Sequence, residues 1–177
     1  MRRVALLTAC FAVACGDGNA PIEPGIAAPG GRFANLAPGI VQSVVGSPIR
    51  WTAGEPFILT VTANKHADGT VSGRFHVDAK SLNARVDVAV TCLSVEGNRG
   101  WVGGIVEKSN HPGVPVGLAS FFYVIDVGEG AIGAIQEDIV SALALNRDAG
   151  SELTFCNERP TTLASRRIED GNVQVRE

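Results

Sequence analysis

The 177-residue chain has no cluster of basic side chains, no familiar catalytic motif and few histidines. Without about five lysines and arginines close together, the electrostatic footprint of a nucleic-acid-binding protein is missing, so we expect no nucleic acid as a partner. The three histidines form no HExxH pair, and no serine stands in a GxSxG segment. These absences remove the usual sequence evidence for zinc hydrolases and serine hydrolases, and no cofactor is expected.

Charged residues make up only 19% of the chain and aromatic residues only 6%, whereas 45% of the chain is hydrophobic. This composition excludes a chain that is disordered throughout, because disorder requires low hydrophobicity and high charge. The length favours one domain. The 21 glycines stand mostly between short apolar runs, a spacing that is typical of a turn-rich β protein.

The first fifteen residues predict export and read MRRVALLTACFAVAC. Two arginines precede an apolar run of about eleven residues, which fits a signal peptide and is too short for a spanning helix. Cys15 follows Ala-Val-Ala and resembles the lipidated cysteine in the lipobox of bacterial lipoproteins. We therefore expect a signal peptide at 1–14 and a lipid on Cys15. Cys10 fits the lipobox letters better, but cleavage there leaves too short an apolar core. An ordinary signal peptide and a buried first strand are the alternatives.

Residues 16–48 are rich in proline, glycine and alanine and show no sustained helical or strand period. Such a segment buries little apolar surface, so we expect a flexible tether between the membrane and a folded domain. The predicted organisation is therefore a signal at 1–14, the lipidated cysteine and tether at 15–50, and a β domain at 51–177.

Short apolar runs separated by turn residues predict an all-β fold, an antiparallel meander that closes into a single barrel, with a β-sandwich as the alternative. The expected strands are Phe57–Thr62, Thr70–Ala79, Ala84–Val95, Trp101–Glu107, Val116–Val127, Leu153–Cys156 and Val173–Arg176. The one short helix is expected at Glu137–Leu145, where two acidic residues begin the segment.

The long strand near the middle of the chain carries one of the two cysteines outside the signal. Strand alternation places Val86, Val88, Val90 and Cys92 on one face. An exported chain meets an oxidising compartment, so we expect Cys92 and Cys156 to form a disulfide. Two separate buried thiols are the alternative. In the next expected strand, two neighbouring glycines at 103 and 104 predict a bend or a bulge.

Five segments together resemble a group of uncharacterised secreted or lipid-anchored bacterial proteins. The segments are HADGTVSGRF at 66–75, VTCLSVEGN at 90–98, VGGIV at 102–106, VIDVGEG at 124–130 and GNVQV at 171–175. The likeness extends over residues 57–176, although Val127 stands where the group usually has asparagine. The resemblance implies a β domain in which Cys92 and Cys156 are paired, and it implies no established activity.

His76 and Asp78 are candidates for catalysis, because strand alternation places them on one face as a possible acid–base pair. The alternative is a solvated face that they share with Arg74 and Lys80. Farther along the chain, an acidic and glycine-rich stretch supplies candidate calcium ligands. These are Asp126, Glu129 and Asp138. The alternative is a strand end with a β-turn, followed by a negatively charged helix start.

Five aromatic residues are candidates for lining a pocket that holds a small apolar ligand, with core packing as the alternative. They are Trp51, Trp101, Phe121, Phe122 and Tyr123.

The leading hypothesis is a non-catalytic, lipid-anchored β domain of the bacterial envelope, at the outer membrane or cell surface, that binds an envelope partner or serves a structural role. Secretion or a periplasmic location is the alternative to anchoring. The alternatives in function are a small barrel isomerase or hydrolase that uses His76 and Asp78, and a calcium-stabilised, adhesion-like module.

Overall fold

The computed structural model describes residues 36–52, 56–128 and 137–177. All of these residues belong to one compact unit, Gly31–Glu177. The predicted signal, Cys10, Cys15 and most of the predicted tether lie outside the described residues.

A single antiparallel sheet makes up most of the described fold and is curled into a half-barrel. Its strands are β1 (Ile40–Thr52), β2 (Pro56–His66), β3 (Val71–Ala79), β4 (Ala84–Glu96), β5 (Arg99–Ser109), β6 (Ala119–Ile125), β7 (Ile139–Ser141), β8 (Ala144–Asn146), β9 (Ser165–Arg167) and β10 (Val173–Arg176). The order in the sheet is β10-β1-β2-β3-β4-β5-β6-β7-β9, and β8 pairs with β6. One α-helix, α1 (Ser151–Glu158), is present in the described ranges. The all-β antiparallel prediction is confirmed, with the sheet forming a half-barrel.

The β domain begins earlier than the sequence predicts. Strand β1 starts at Ile40, inside the segment 15–50 that was assigned to the tether. It pairs with β2 on one side and with β10 on the other, and Val44 is completely buried between them. A stretch with weak local periodicity thus becomes a strand because distant partners satisfy its backbone groups and bury its valines.

The segment predicted to be a helix forms strands, and one segment predicted to be a strand forms a helix. The segment Glu137–Leu145 contains β7 and most of β8 instead of a helix, and Leu153–Cys156 lies within α1 instead of a strand. Short apolar runs do not distinguish a strand from a buried helical segment. Here the choice is made by neighbours, since both short strands pair with β6.

The inner face of the curled sheet carries the main hydrophobic core. Phe75 of β3 and Phe122 of β6 meet edge to face at its centre, with their ring centroids 5.1 Å apart. Valines from β1, β3, β4, β5, β6 and β10 surround them. Because these strands lie far apart in the sheet order, the core forms only when the sheet curls.

A second, smaller cluster lies on the outer face beneath α1, where Trp101, Tyr123 and Phe155 are buried together. A bulge in β4 between Val90 and Cys92 shifts the alternation there. The expectation that Cys92 shares a face with Val86, Val88 and Val90 is therefore wrong. Cys92 turns outward and forms a disulfide with Cys156 of α1, as predicted.

Candidate functional site

A polar strip runs across the outer face of β3 and β4 and contains both candidate catalytic residues. The expectation that His76 and Asp78 share a face opposite the core residues is confirmed, because Phe75 and Val77, which alternate with them along β3, are buried. Their partners differ from the expected ones. His76 Nδ1 lies 2.7 Å from Asp87 Oδ1, whereas Asp78 Oδ2 lies 3.8 Å from Arg85 Nε.

The strand register explains this pairing. His76 is directly opposite Asp87 in the antiparallel ladder, and Asp78 is directly opposite Arg85. Directly opposite Cβ atoms are about 4.5–5.5 Å apart, closer than the distance of about 7 Å between residues i and i+2 on one strand. Sequence alone revealed the shared face, but the partner depends on a register that links residues eleven positions apart.

The His76–Asp87 pair is open to solvent, with 42% of the His76 side chain and 38% of the Asp87 side chain exposed. Beside it, Arg74 Nη2 forms a salt bridge of 2.9 Å with Glu107 Oε2. The strip therefore alternates in charge and is bathed by water, which screens the attraction between its members. These features are typical of a solvent-exposed surface or a polar contact face, whereas a catalytic centre usually excludes water.

The hairpin between β2 and β3 borders a shallow concavity that is open to solvent. Its volume is about 370 Å³, and it is lined by Gly39, His66, Ala67, Asp68 and Thr70. His66 Nε2 lies 2.9 Å from the Ser72 hydroxyl across the hairpin. The Asp68 carboxylate accepts hydrogen bonds from the hydroxyl and the backbone N–H of Thr70, and these bonds lower the pKa of Asp68. These contacts are those of a β-turn closed by an aspartate.

Two of the candidate calcium ligands, Asp126 and Asp138, accept hydrogen bonds from backbone N–H groups. Asp138 Oδ2 accepts the N–H of Val173 at 2.9 Å, and Asp126 Oδ2 accepts the N–H of Val175 at 2.9 Å. Their other carboxylate oxygens accept the N–H groups of Val127 and Gly128. We call this pair the carboxylate clasp, since it holds the edge of β10 that faces away from β1.

Burial raises the pKa of Asp138, whose side chain lies within the fold with only 8% of the residue exposed. The two backbone hydrogen bonds oppose that shift, and the nearby charge of Asp126 adds to it. Glu129, the third candidate ligand, lies outside the described residues. In the part of the chain that the structure describes, no group of three or more His, Cys, Asp or Glu side chains is arranged to hold a metal ion.

The candidate pocket aromatics are divided between the two faces of the sheet. Phe122 belongs to the inner core, and Trp101 and Tyr123 lie beneath α1. Trp101 Nε1 donates to the Pro160 carbonyl at 3.0 Å, and Phe121 stacks on Phe155 with centroids 4.6 Å apart. Core packing, the alternative interpretation, thus accounts for these four residues. The side chain of Trp51 lies outside the described residues.

The carboxylate clasp is the feature that sequence reasoning missed. The acidic character of the 126–138 stretch was visible, but its partners lie 35 and 49 residues away in the last strand. The only signal was the alternation of the GNVQV segment at 171–175, which contains both valines whose N–H groups the clasp accepts.

No known family, no curated protein and no solved structure matches this chain. The resemblance described above therefore stays a prediction. Among the described residues, no helix has the length and apolar composition needed to cross a membrane.

Proposed function

We propose that this chain is a non-catalytic β domain, anchored in the bacterial envelope through a lipid on Cys15, that acts as a binding or structural module. The observation that carries the non-catalytic part of the proposal is the filled inner face of the half-barrel. It is packed mainly with valines and two phenylalanines, and its buried Ser120 hydroxyl has no hydrogen-bond partner among the described residues that could act as a base. A barrel enzyme needs polar groups that converge on an interior space.

The candidate residues His76, Asp126 and Asp138 have structural partners. His76 and Asp87 pair with each other on the outer face, and the carboxylates of Asp126 and Asp138 are engaged by backbone N–H groups. Catalysis by a nucleophile also requires a base within reach, held by a third group in a water-poor setting. The exposed polar strip offers a surface for a polar partner and supports binding better than turnover.

The anchor is tested by metabolic labelling with a fatty acid in a bacterial host. Cys15→Ala should abolish lipid incorporation and release the protein from the membrane fraction. Cys10→Ala is the matched control and should leave both unchanged, because Cys10 belongs to the discarded signal. Full labelling of the Cys15→Ala protein would overturn the anchor.

The absence of catalysis is tested by turnover measurements against ester, peptide and isomerisable substrates. We expect no turnover above the uncatalysed rate for the wild-type chain. Turnover that is lost in His76→Ala and retained in His111→Ala would overturn the proposal and favour the isomerase or hydrolase.

The calcium-stabilised alternative has its own readout. Removal of divalent cations with a chelator should leave the thermal unfolding midpoint unchanged, because backbone donors already engage Asp126 and Asp138. A large fall in the midpoint, restored by added calcium, would contradict this expectation.

A further inference from the structure

The last strand, β10, lies between β1 and the carboxylate clasp, and we call this position the seat. On one side it pairs with β1, with Val44 opposite Val175 and Val45 opposite Gln174. On the other side the carboxylate clasp takes the place of a neighbouring strand. It accepts the N–H groups of Val173 and Val175, each at 2.9 Å.

The floor of this seat is the inner core. Val173 is completely buried and Val175 is 8% exposed, whereas Gln174 and Arg176 between and after them are only partly buried. The seat therefore selects an extended segment with an apolar residue at every second position. Specificity comes from the two apolar sites and from two hydrogen bonds to negatively charged acceptors, which are stronger than bonds to neutral acceptors.

The connection into β10 is exposed. Residues 169–172 all lie at the surface, and Gly171 adopts a backbone φ of +101° that other residues rarely accept. Only four residues of strand follow this connection. The strand is thus held by many contacts within the seat, but a short and exposed segment connects it to the preceding part of the chain.

We propose that the seat between β1 and the carboxylate clasp is a strand-binding site, and that the Val173–Arg176 strand of a second copy of this chain can occupy it. Two copies would exchange their last strands reciprocally. The contacts within the seat are the same whether the strand comes from its own chain or from the other copy. The balance is therefore set by protein concentration against the effective concentration of the linked strand, which is about millimolar for a short link.

This proposal does not rest on the proposed function. It concerns an interaction surface, and it holds or fails whether the domain is catalytic or not. Lipid anchoring would favour exchange if it is present, because confinement of many copies to one membrane raises their local concentration.

The test is a cross-linking experiment on the full chain. Val45 and Gln174 are directly opposite in the register between β1 and β10. A Val45→Cys chain and a Gln174→Cys chain with different tags are mixed at increasing concentration, unfolded partially and refolded together, and then oxidised. We expect a disulfide-linked heterodimer in about tenfold excess over the control pair, rising with concentration.

The control pair is Val45→Cys mixed with Ser165→Cys, because Ser165 lies on β9 and pairs with β7. A single chain that carries both Val45→Cys and Gln174→Cys shows whether the geometry permits the bond. If this chain forms its internal disulfide while the mixture gives no more heterodimer than the control, the proposal is overturned.

A second measurement decides the question if the chain with both Val45→Cys and Gln174→Cys forms no internal disulfide. A fluorescent peptide of residues 171–177 is added to the full chain carrying Val173→Asp, whose own strand cannot bury an aspartate in the core. We expect saturable binding that is weakened about tenfold or more when the peptide itself carries Val173→Asp and Val175→Asp. Equal binding of the two peptides would overturn the proposal. If the Val173→Asp chain is unfolded, the same comparison is made on the wild-type chain at millimolar peptide.

Discussion

Asp138 shows how one carboxylate can replace a neighbouring strand. Its two oxygens accept backbone N–H groups from two segments, Val127 after β6 and Val173 at the start of β10. Each of these N–H groups would cost about 1–3 kcal/mol if it were buried without a partner. The hydrogen bonds to Asp138 therefore offset much of the free-energy cost of burying its charge. The residue stabilises the fold through hydrogen bonds, whereas its charge works against burial.

The first prediction follows from the raised pKa of Asp138. Because its pKa is higher in the folded state than in the unfolded state, its contribution to stability is greatest below the unfolded pKa. That contribution falls as pH rises through the folded pKa. Asp138→Asn should cost about 1–3 kcal/mol, since an amide offers one acceptor to two donors. The difference in free energy of unfolding between wild type and Asp138→Asn should shrink as pH rises from below about 3.9, the ordinary pKa of an aspartate, as measured by urea denaturation.

Asp68→Asn is the control with the opposite sign. Hydrogen bonds from Thr70 lower the pKa of Asp68 in the folded hairpin. Its contribution is therefore present above the unfolded pKa and is lost as pH falls through the folded value. If the two variants show pH dependences of the same sign, the assignment of Asp138 as a carboxylate with a raised pKa is wrong.

The second prediction concerns Gly104, which lies against the bulged part of β4. A Cβ atom there would overlap the carbonyl oxygen of Ala89 and would lie 2.9 Å from a methyl group of Val88. Backbone cannot rotate away as a flexible side chain can, so Gly104→Ala should lower the free energy of unfolding by about 1–3 kcal/mol. Gly113→Ala, where the new methyl group meets only the His111 ring, should change it much less. Chemical denaturation of both variants checks the difference.

At the scale of the elements, α1 depends on tertiary contacts. A helix of eight residues is too short to be stable alone in water. Phe155 anchors it in the outer cluster, and Cys156 links it to Cys92 of β4. Gly103 leaves room for this approach, because a Cβ there would lie 2.9 Å from the Cβ of Glu152.

The third prediction is that removal of the disulfide loosens α1 before it unfolds the sheet. The bond links residues 64 apart, and its loss should lower stability by about 2–4 kcal/mol. The double variant Cys92→Ala, Cys156→Ala avoids a lone thiol. Hydrogen exchange should accelerate at residues 151–158 more than in β3, which pairs with β4 over residues 84–89 and not at Cys92. Uniform acceleration across α1 and β3 would contradict this local role.

At the scale of the whole molecule, the inner core joins strands that lie far apart in sequence. Val44 of β1 and Val175 of β10 lie near the position that a Cβ of Gly100 in β5 would take. This contact shows that the sheet curls tightly enough for side chains from distant strands to fill the space inside it. A half-barrel of this kind is stabilised by apolar burial that no pair of neighbouring strands achieves alone.

The fourth prediction tests that packing. Phe122→Ala should cost about 3–5 kcal/mol and create a cavity that binds a small apolar probe such as benzene. Phe121→Ala, which removes a partly buried ring on the opposite face, should cost less and should bind no probe in the interior. Denaturation and probe-dependent shifts of the thermal midpoint measure both effects. Probe binding by the wild-type chain would indicate an interior pocket and contradict the packed core.

Much of the sheet could be predicted from the sequence, because β2 to β6 follow one another as hairpins. Alternation correctly placed Phe75 and Val77 inside and His76 outside. The candidate site was predicted less well. The face of His76 was correct, but Asp87 as its partner depended on the register between two strands. The roles of Asp126 and Asp138 depended on contacts with a strand far along the chain.

The sequence by itself determined the β character, the hairpin order and the outward face of His76, because these follow from local periodicity and turn chemistry. It predicted the pairing of Cys92 with Cys156 but left two separate thiols open, and the structure shows the bond. Only the tertiary structure decided that β1 begins at Ile40, that the acidic stretch holds β10, and that helix and strand exchange places near the end of the described fold. The physical reason is common to all three: each segment has weak local preference, so its conformation is set by distant groups that satisfy its hydrogen bonds and bury its apolar side chains.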